Sequence, residues 1–323
     1  MPADTSISKL CSNDLIRVNQ HIEHALQSTI PLVHEIGTYI IQSGGKRLRP
    51  MISILVAKAY HYEGDHHNLL GAIIECLHTA MLLHDDVVDE ALQRRGKNTA
   101  NQQWGNATTI LVGDYIYARA FQMILSVNNA EISKTIATTV SEIAEGEVLQ
   151  LSNTGNYNLT EDTYIEIIKR KTAVLFAATA KSSSILANQP IKHQEDMYKY
   201  GEHLGVMFQI IDDILDYQGD PATTGKNIGT DLREGKMTLP LIKTLNDAND
   251  EEKQMISQAI TAKDSSRSSE IIDLVKNCSA ITQCLQEAQK HAMEAKKAIN
   301  HLSDSPYKTA LLQIVDDTLT RNN

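Results

Sequence analysis

Asp-Asp-x-x-Asp occurs twice in this chain, as DDVVD at Asp85–Asp89 and as DDILD at Asp212–Asp216, and each copy closes a strongly apolar run. Residues four apart share a face when the backbone is helical. Asp85 and Asp89, with Asp86 beside them, therefore form one carboxylate triplet, and Asp212, Asp213 and Asp216 form another, provided both runs are helices. The remainder of the chain agrees with that condition. Seven prolines and sixteen glycines fall in clusters between long helix-favouring stretches, and no run of alternating β-branched residues asks for a sheet. The expectation is an all-α fold, with helices at roughly 10–42, 49–62, 67–92, 105–127, 130–152, 161–188, 193–218 and 238–247 and two or three more to the end. No low-complexity linker or shift in composition marks a boundary, so residues 1–323 are expected to form a single domain.

Three carboxylates on one helical face repel one another unless a cation neutralises them. Oxygen donors with no cysteine nearby suit magnesium, which takes a few carboxylates and completes its shell with water and phosphate oxygens. A single acidic cluster ordinarily means a solvated face. Two identical clusters, preceded by AMLLH and FQII, do not fit that meaning, and Asp85, Asp86, Asp89, Asp212, Asp213 and Asp216 are the expected metal ligands.

A metal-bound phosphate ligand needs further positive charge, and the sequence offers it at several places. GGKRLRP, Gly44 to Pro50, sets Lys46, Arg47 and Arg49 after a glycine pair whose backbone can approach a phosphate. Arg94-Arg95-Gly96 follows the first triplet, with Gly96 as the expected helix stop. Lys171-Thr172 lies in the apolar helix KRKTAVLFAATA, where Lys171 either snorkels or points into a polar cavity. Gln209 shares a helix face with Asp213 and Asp216, and His78 lies two turns before Asp85 on the same face. The glycine-rich loop GKNIGTDLREGKMTLP carries Lys226, Asp231 and Lys236.

The formal charge of −10 argues against nucleic acid as a partner. The most apolar window, Leu69 to Val88, contains Glu75, His78, His84, Asp85 and Asp86, so it is expected as a buried helix and not as a membrane span. Cys11, Cys76, Cys278 and Cys284 are scattered, and the N-terminal residues MPADTSISKL have neither a basic nor an apolar signal region. Both features fit a reducing cytoplasm.

Taken in order, GGKRLRP, HTAMLLHDDVVDE, RRG, LVGDYIYARAFQM, AEGEVLQL, KTA, FQIIDDILDY and GKNIGTDLREGKMTLP resemble the trans-isoprenyl diphosphate synthase family, in particular its long-chain, octaprenyl-forming bacterial members. The resemblance implies a bundle of long antiparallel helices around a central cavity, in a homodimer. It implies sequential condensation of isopentenyl diphosphate onto an allylic diphosphate such as farnesyl diphosphate, for a quinone side chain, with magnesium at the aspartates. Lys46, Arg49, His78 and Arg95 would bind isopentenyl diphosphate, and Arg94, Lys171, Thr172, Gln209, Lys226 and Lys236 the allylic substrate. Asp85, Asp86, Asp89, Lys171, Asp212 and Asp213 would be catalytic. No aromatic residue stands at Ala80 or Met81 to stop elongation early, so the product floor is expected deeper, around Met123, Leu77 and Ile74. An HD-type phosphohydrolase, suggested by His84-Asp85, needs neither the second triplet nor the lysine loop. A non-catalytic subunit typically loses aspartates that are complete here, and a terpene cyclase lacks the site around Lys46 and Arg49. The tail after about residue 250 offers amphipathic helix and no legible chemistry.

Overall fold

The computed structural model describes residues 6–42, 44–94, 96–218, 228–264 and 266–321. In chain order the described elements are α1 (Ser6–Ala25), α2 (Pro31–Gln42), α3 (Leu48–Ala59), α4 (His66–Val88), β1 (Gln93–Arg94), β2 (Lys97–Asn98), α5 (Ala100–Trp104), α6 (Asn106–Val127), α7 (Ala130–Ser152) and α8 (Glu161–Ile168). A π-helical turn (Lys169–Ala173) follows, then α9 (Val174–Leu186), α10 (Ile191–Gln218), α11 (Thr230–Arg233), α12 (Leu239–Asp247), α13 (Asp250–Ala262), α14 (Ser268–Asn277), α15 (Ala280–Ala298) and α16 (Pro306–Leu319). The fold is all-α, as the sequence requires. The chain divides into two compact units. One comprises Met1–Ala137, Ala178–Tyr198 and Ile299–Gln313, and the other Thr138–Ala177, Lys199–Ala298 and Ile314–Asn323.

Several expected helices are shorter than their apolar pattern. Pro31 opens α2 and so cuts the first stretch in two. Gly105, at φ 81°, separates α5 from α6. The expected helix over 67–92 stops at Val88, and Gly96 turns a two-residue hairpin instead of ending a helix. The stop is set by backbone bonds: the Glu90 N–H donates to the Val87 carbonyl and the Ala91 N–H to the Asp86 carbonyl, a Schellman closure with Glu90 at φ 50°. Among the described residues four helices, α13 to α16, run from residue 250 onward, where two or three were expected.

In the first unit α4 is buried almost all round by α1, α3 and α6. Leu70, Ile73, Ile74, Leu77 and Leu83 are fully buried, each contributing about 1.5–3 kcal/mol by leaving water. This bears out the buried-helix expectation for Leu69–Val88. Met123 on α6 is half-buried. Gly113 lets α6 approach the His84 ring, since a Cβ there would stand 2.4 Å from Nε2. In the second unit Gly205 brings α10 against the π-turn, because a Cβ there would lie 2.5 Å from the Cα of Ala173. Gly146 does the same for α7, at 2.8 Å from the Lys171 backbone nitrogen. These close approaches set the side chains described next.

Candidate active site

The first aspartate triplet sits at the C-terminal end of α4, with Asp89 as the cap residue. Carboxylates there oppose the helix dipole, at roughly 0.3–1 kcal/mol each. Asp86 is only 1% exposed, while Asp85 and Asp89 are half-exposed. Arg94, brought back by the β1–β2 hairpin, places Nε and Nη2 both 2.7 Å from Asp86 Oδ1. Burial still raises the Asp86 carboxyl above the usual carboxylate range, against the pull of Arg94. Its Oδ2 is buried with no hydrogen-bond donor. His84, next to the triplet, turns to α6, where Nε2 lies 3.3 Å from the Ile110 carbonyl and from Asp114 Oδ1 and the ring meets Tyr117.

The basic loop precedes α3 in the same unit. Arg47 caps α3 at φ 49° and is held there by an ion pair with Glu75, a carboxylate only 7% exposed, and by a 3.2 Å bond from Nη2 to the Ile41 carbonyl. Arg47 is therefore a structural cation. Arg49, half-buried, has its guanidinium pulled down to about 10 by burial, with Glu75 acting in the opposite sense. Lys46 is exposed and His78 half-buried on α4. Arg95 lies outside the described residues, as does Lys226.

The second triplet ends α10 and has a different shell. Asp213, 3% exposed, accepts bonds from Tyr164 Oη to Oδ2 at 2.6 Å and from Gln209 Nε2 to Oδ1 at 2.8 Å. Thr172 Oγ1 donates to Gln209 Oε1 at 2.9 Å, so the network runs back to the π-turn. Burial, with the nearby charge of Asp231, pushes the Asp213 carboxyl well above its ordinary range, and burial raises the Tyr164 phenol too. Asp216 accepts the backbone N–H groups of Thr230 and Asp231, each at 3.1 Å, and so ties α11 to the end of α10. Asp212 is half-exposed and lies 3.5 Å from Arg321 Nη1.

Lys171 does not sit in a regular helix interior. It occupies the π-turn, a geometry frequent at functional sites, and its Nζ donates to Glu147 Oε2 at 2.6 Å and to Gln150 Oε1 at 2.7 Å on α7. Lys236 pairs with Glu234 at 2.7 Å. The structure thus joins Thr172, Gln209 and Asp213 directly and sets Arg94 on Asp86. Sequence reasoning gave no role to Glu75, Glu147, Gln150, Tyr164 or Arg321. Tyr164 had a usable signal, lying seven residues before Lys171.

Among the described residues, no three His, Cys, Asp or Glu side chains are gathered closely enough to enclose a metal ion. The donor set nevertheless fits a hard divalent cation. Each triplet presents only carboxylate oxygens, at the negative end of a helix, and the first contains a buried oxygen that no hydrogen bond satisfies. Asp85, Asp89, Asp212 and Asp216 are half-exposed, whereas Asp86 and Asp213 are buried.

A family model for polyprenyl synthetase matches residues 30–278. The octaprenyl diphosphate synthase of Escherichia coli (strain K12) is 43% identical over 317 residues, spanning 98% of each chain. The all-trans-nonaprenyl-diphosphate synthase (geranyl-diphosphate specific) of Rhodobacter capsulatus is 40% identical, over 96% of this chain and 95% of its own. Among solved structures, the polyprenyl synthase from Caulobacter crescentus CB15, complexed with calcium and isoprenyl diphosphate, superposes with a TM-score of 0.95 at 36% identity, over 98% of this chain and 97% of that one. Two carboxylate triplets at helix ends, a basic loop and likeness over nearly the full length lead to one assignment: the chain belongs to the polyprenyl synthetase family and is a prenyltransferase.

Proposed function

We propose that this chain adds isopentenyl diphosphate repeatedly to an allylic diphosphate, with farnesyl diphosphate as a suitable primer, and releases octaprenyl diphosphate for a quinone side chain. The observation that carries the product class is the 43% identity, over 98% of each chain, to an octaprenyl diphosphate synthase. The 40% identity to a nonaprenyl-diphosphate synthase favours a second reading, in which the product is one unit longer.

In this reading the whole chain acts as one catalytic domain, and Asp85, Asp86, Asp89, Asp212, Asp213 and Asp216 form its cation-binding clusters. All six offer carboxylate oxygens to the cation, and Asp86 is further fixed by Arg94 and Asp213 by Tyr164 and Gln209. Magnesium, when bound, neutralises the departing diphosphate and so lowers the barrier to ionisation. Arg94, Lys171, Thr172, Gln209, Lys226 and Lys236 orient the allylic diphosphate, and Lys46, Arg49, His78 and Arg95 receive isopentenyl diphosphate. Lys171 supports its part by being held on Glu147 and Gln150, which aims the ammonium. After ionisation the isopentenyl double bond attacks the allylic cation, and a proton leaves to the released diphosphate. Water must stay out of that step, and the apolar helix α4 beneath the first triplet serves this end.

The functional form in this proposal is a homodimer in a reducing cytoplasm. Helix α6 is long and apolar enough to cross a membrane, and only a third of it is buried within this chain. Ile110, Leu111, Phe121 and Leu125 form one exposed stripe, which also holds Asp114, while Arg119 bonds the Ala25 carbonyl at 2.9 Å. A stripe interrupted by charge suits a second protein surface better than lipid.

The test is incubation of the purified chain with magnesium, farnesyl diphosphate and excess isopentenyl diphosphate, followed by chromatography of the dephosphorylated products. An eight-unit alcohol is expected. A nine-unit product selects the second reading, and no condensation at all overturns both.

A further inference from the structure

We propose that Arg321 is a positioning residue of the second aspartate cluster: its guanidinium holds Asp212 as a counter-ion that a divalent cation must displace. The inference rests on the reading of Asp212 as a cation ligand. It concerns a residue beyond the 30–278 segment that the family model matches, in a tail whose sequence carried no legible chemistry.

The guanidinium meets α10 at two points. Nη1 lies 3.5 Å from Asp212 Oδ1, and the guanidinium carbon stands 5.3 Å from the centre of the Phe208 ring. Phe208 and Asp212 are four residues apart on α10, so ring and carboxylate occupy one face. The Phe208 ring is in turn set against Phe176, with centroids 5.6 Å apart. The backbone after α16 keeps turning, with the Thr320 N–H on the Asp316 carbonyl at 3.0 Å and the Arg321 N–H on the Thr318 carbonyl at 3.4 Å. A planar cation lying over an aromatic face and within ion-pair distance of a carboxylate is partly pre-organised, and arginine suits this better than lysine.

The chemistry follows from what else the cluster contains. Asp213 accepts bonds from a phenol and an amide, and Asp216 from two backbone N–H groups. Arg321 brings a full positive charge to Asp212. It therefore keeps that carboxylate aimed and balanced, and it opposes an incoming divalent ion by direct competition and by repulsion. Both partners are about a quarter to a third exposed, 22% for Arg321 and 33% for Asp212, so the pair is weak enough to be exchanged. Arg321 then raises the concentration of cation at which the cluster fills, by about three- to five-fold.

The test is Mn2+ binding to the full-length chain without substrate, followed by electron paramagnetic resonance, for the wild type, Arg321→Gln, Arg321→Lys, Asp212→Asn and the Arg321→Gln/Asp212→Asn pair. Arg321→Gln is expected to bind Mn2+ about three- to five-fold more tightly, with an unchanged thermal melt. Arg321→Lys should restore most of the wild-type affinity, and on the Asp212→Asn background Arg321→Gln should have no effect. Equal affinity in wild type and Arg321→Gln, or the same gain without Asp212, overturns the proposal while leaving the cation reading intact. A wild-type chain that binds no Mn2+ defeats the cation reading of the cluster and the proposal with it.

Discussion

At the end of α4 the middle aspartate of the first triplet, Asp86, is buried against a cation, with Arg94 on one oxygen and nothing donating to the other. At the end of α10 its counterpart, Asp213, is buried with a phenol and an amide, one on each oxygen. The pentapeptides match, so the difference comes from what each unit folds against them. A charged partner can turn to a phosphate when one arrives, because a guanidinium binds phosphate as readily as carboxylate. Neutral donors cannot be drawn off in that way. In the first cluster the counter-charge on the middle aspartate is exchangeable; in the second the middle aspartate sits in a fixed frame, and the exchangeable charge, Arg321, meets Asp212 instead.

The comparison breaks most visibly at Arg94. Arg94→Ala leaves Asp86 buried without its charge partner and should cost about 2–3 kcal/mol in urea denaturation, at the lower side for buried pairs because the arginine is partly exposed. Arg94→Lys, which keeps the charge and loses the fork, should recover about half of that. A loss in Arg94→Ala too small to measure would mean that Asp86 is not held by this pair. A smaller effect sharpens the other side. Tyr164→Phe removes one of the two donors to Asp213 and should cost about 1–2 kcal/mol by the same measurement, since a buried acceptor is left short by one bond. A change in Tyr164→Phe larger than that in Arg94→Ala would invert the assignment of exchangeable and fixed partners.

How much of this was legible depended on whether the partner was local in sequence. The two triplets, the burial of α4 and the shared face of Gln209 and Asp213 all follow from helical period, and the structure has them. The extent of α4 did not follow. Nothing in the apolar pattern announced that Glu90 would take a left-handed conformation and close the helix at Val88, because backbone bonds from Glu90 and Ala91 make that stop. The π-turn at Lys171 arises where Gly146 lets α7 press close, a pairing between segments some 24 residues apart that periodicity does not encode. Glu75 could have been found by asking which buried charge must answer Arg47. Arg321 could not, since a basic residue after a final helix usually meets only the helix dipole.

The central claim is that each carboxylate cluster binds a divalent cation on which turnover depends. It is tested most directly by measuring kcat/KM for allylic diphosphate against magnesium concentration in Asp85→Ala and Asp212→Ala, with circular dichroism as the control for folding. Both variants should keep helical content and melt as the wild type does, while kcat/KM falls by about 10³-fold or more. Near-normal turnover with an unchanged magnesium dependence in either one would contradict the account.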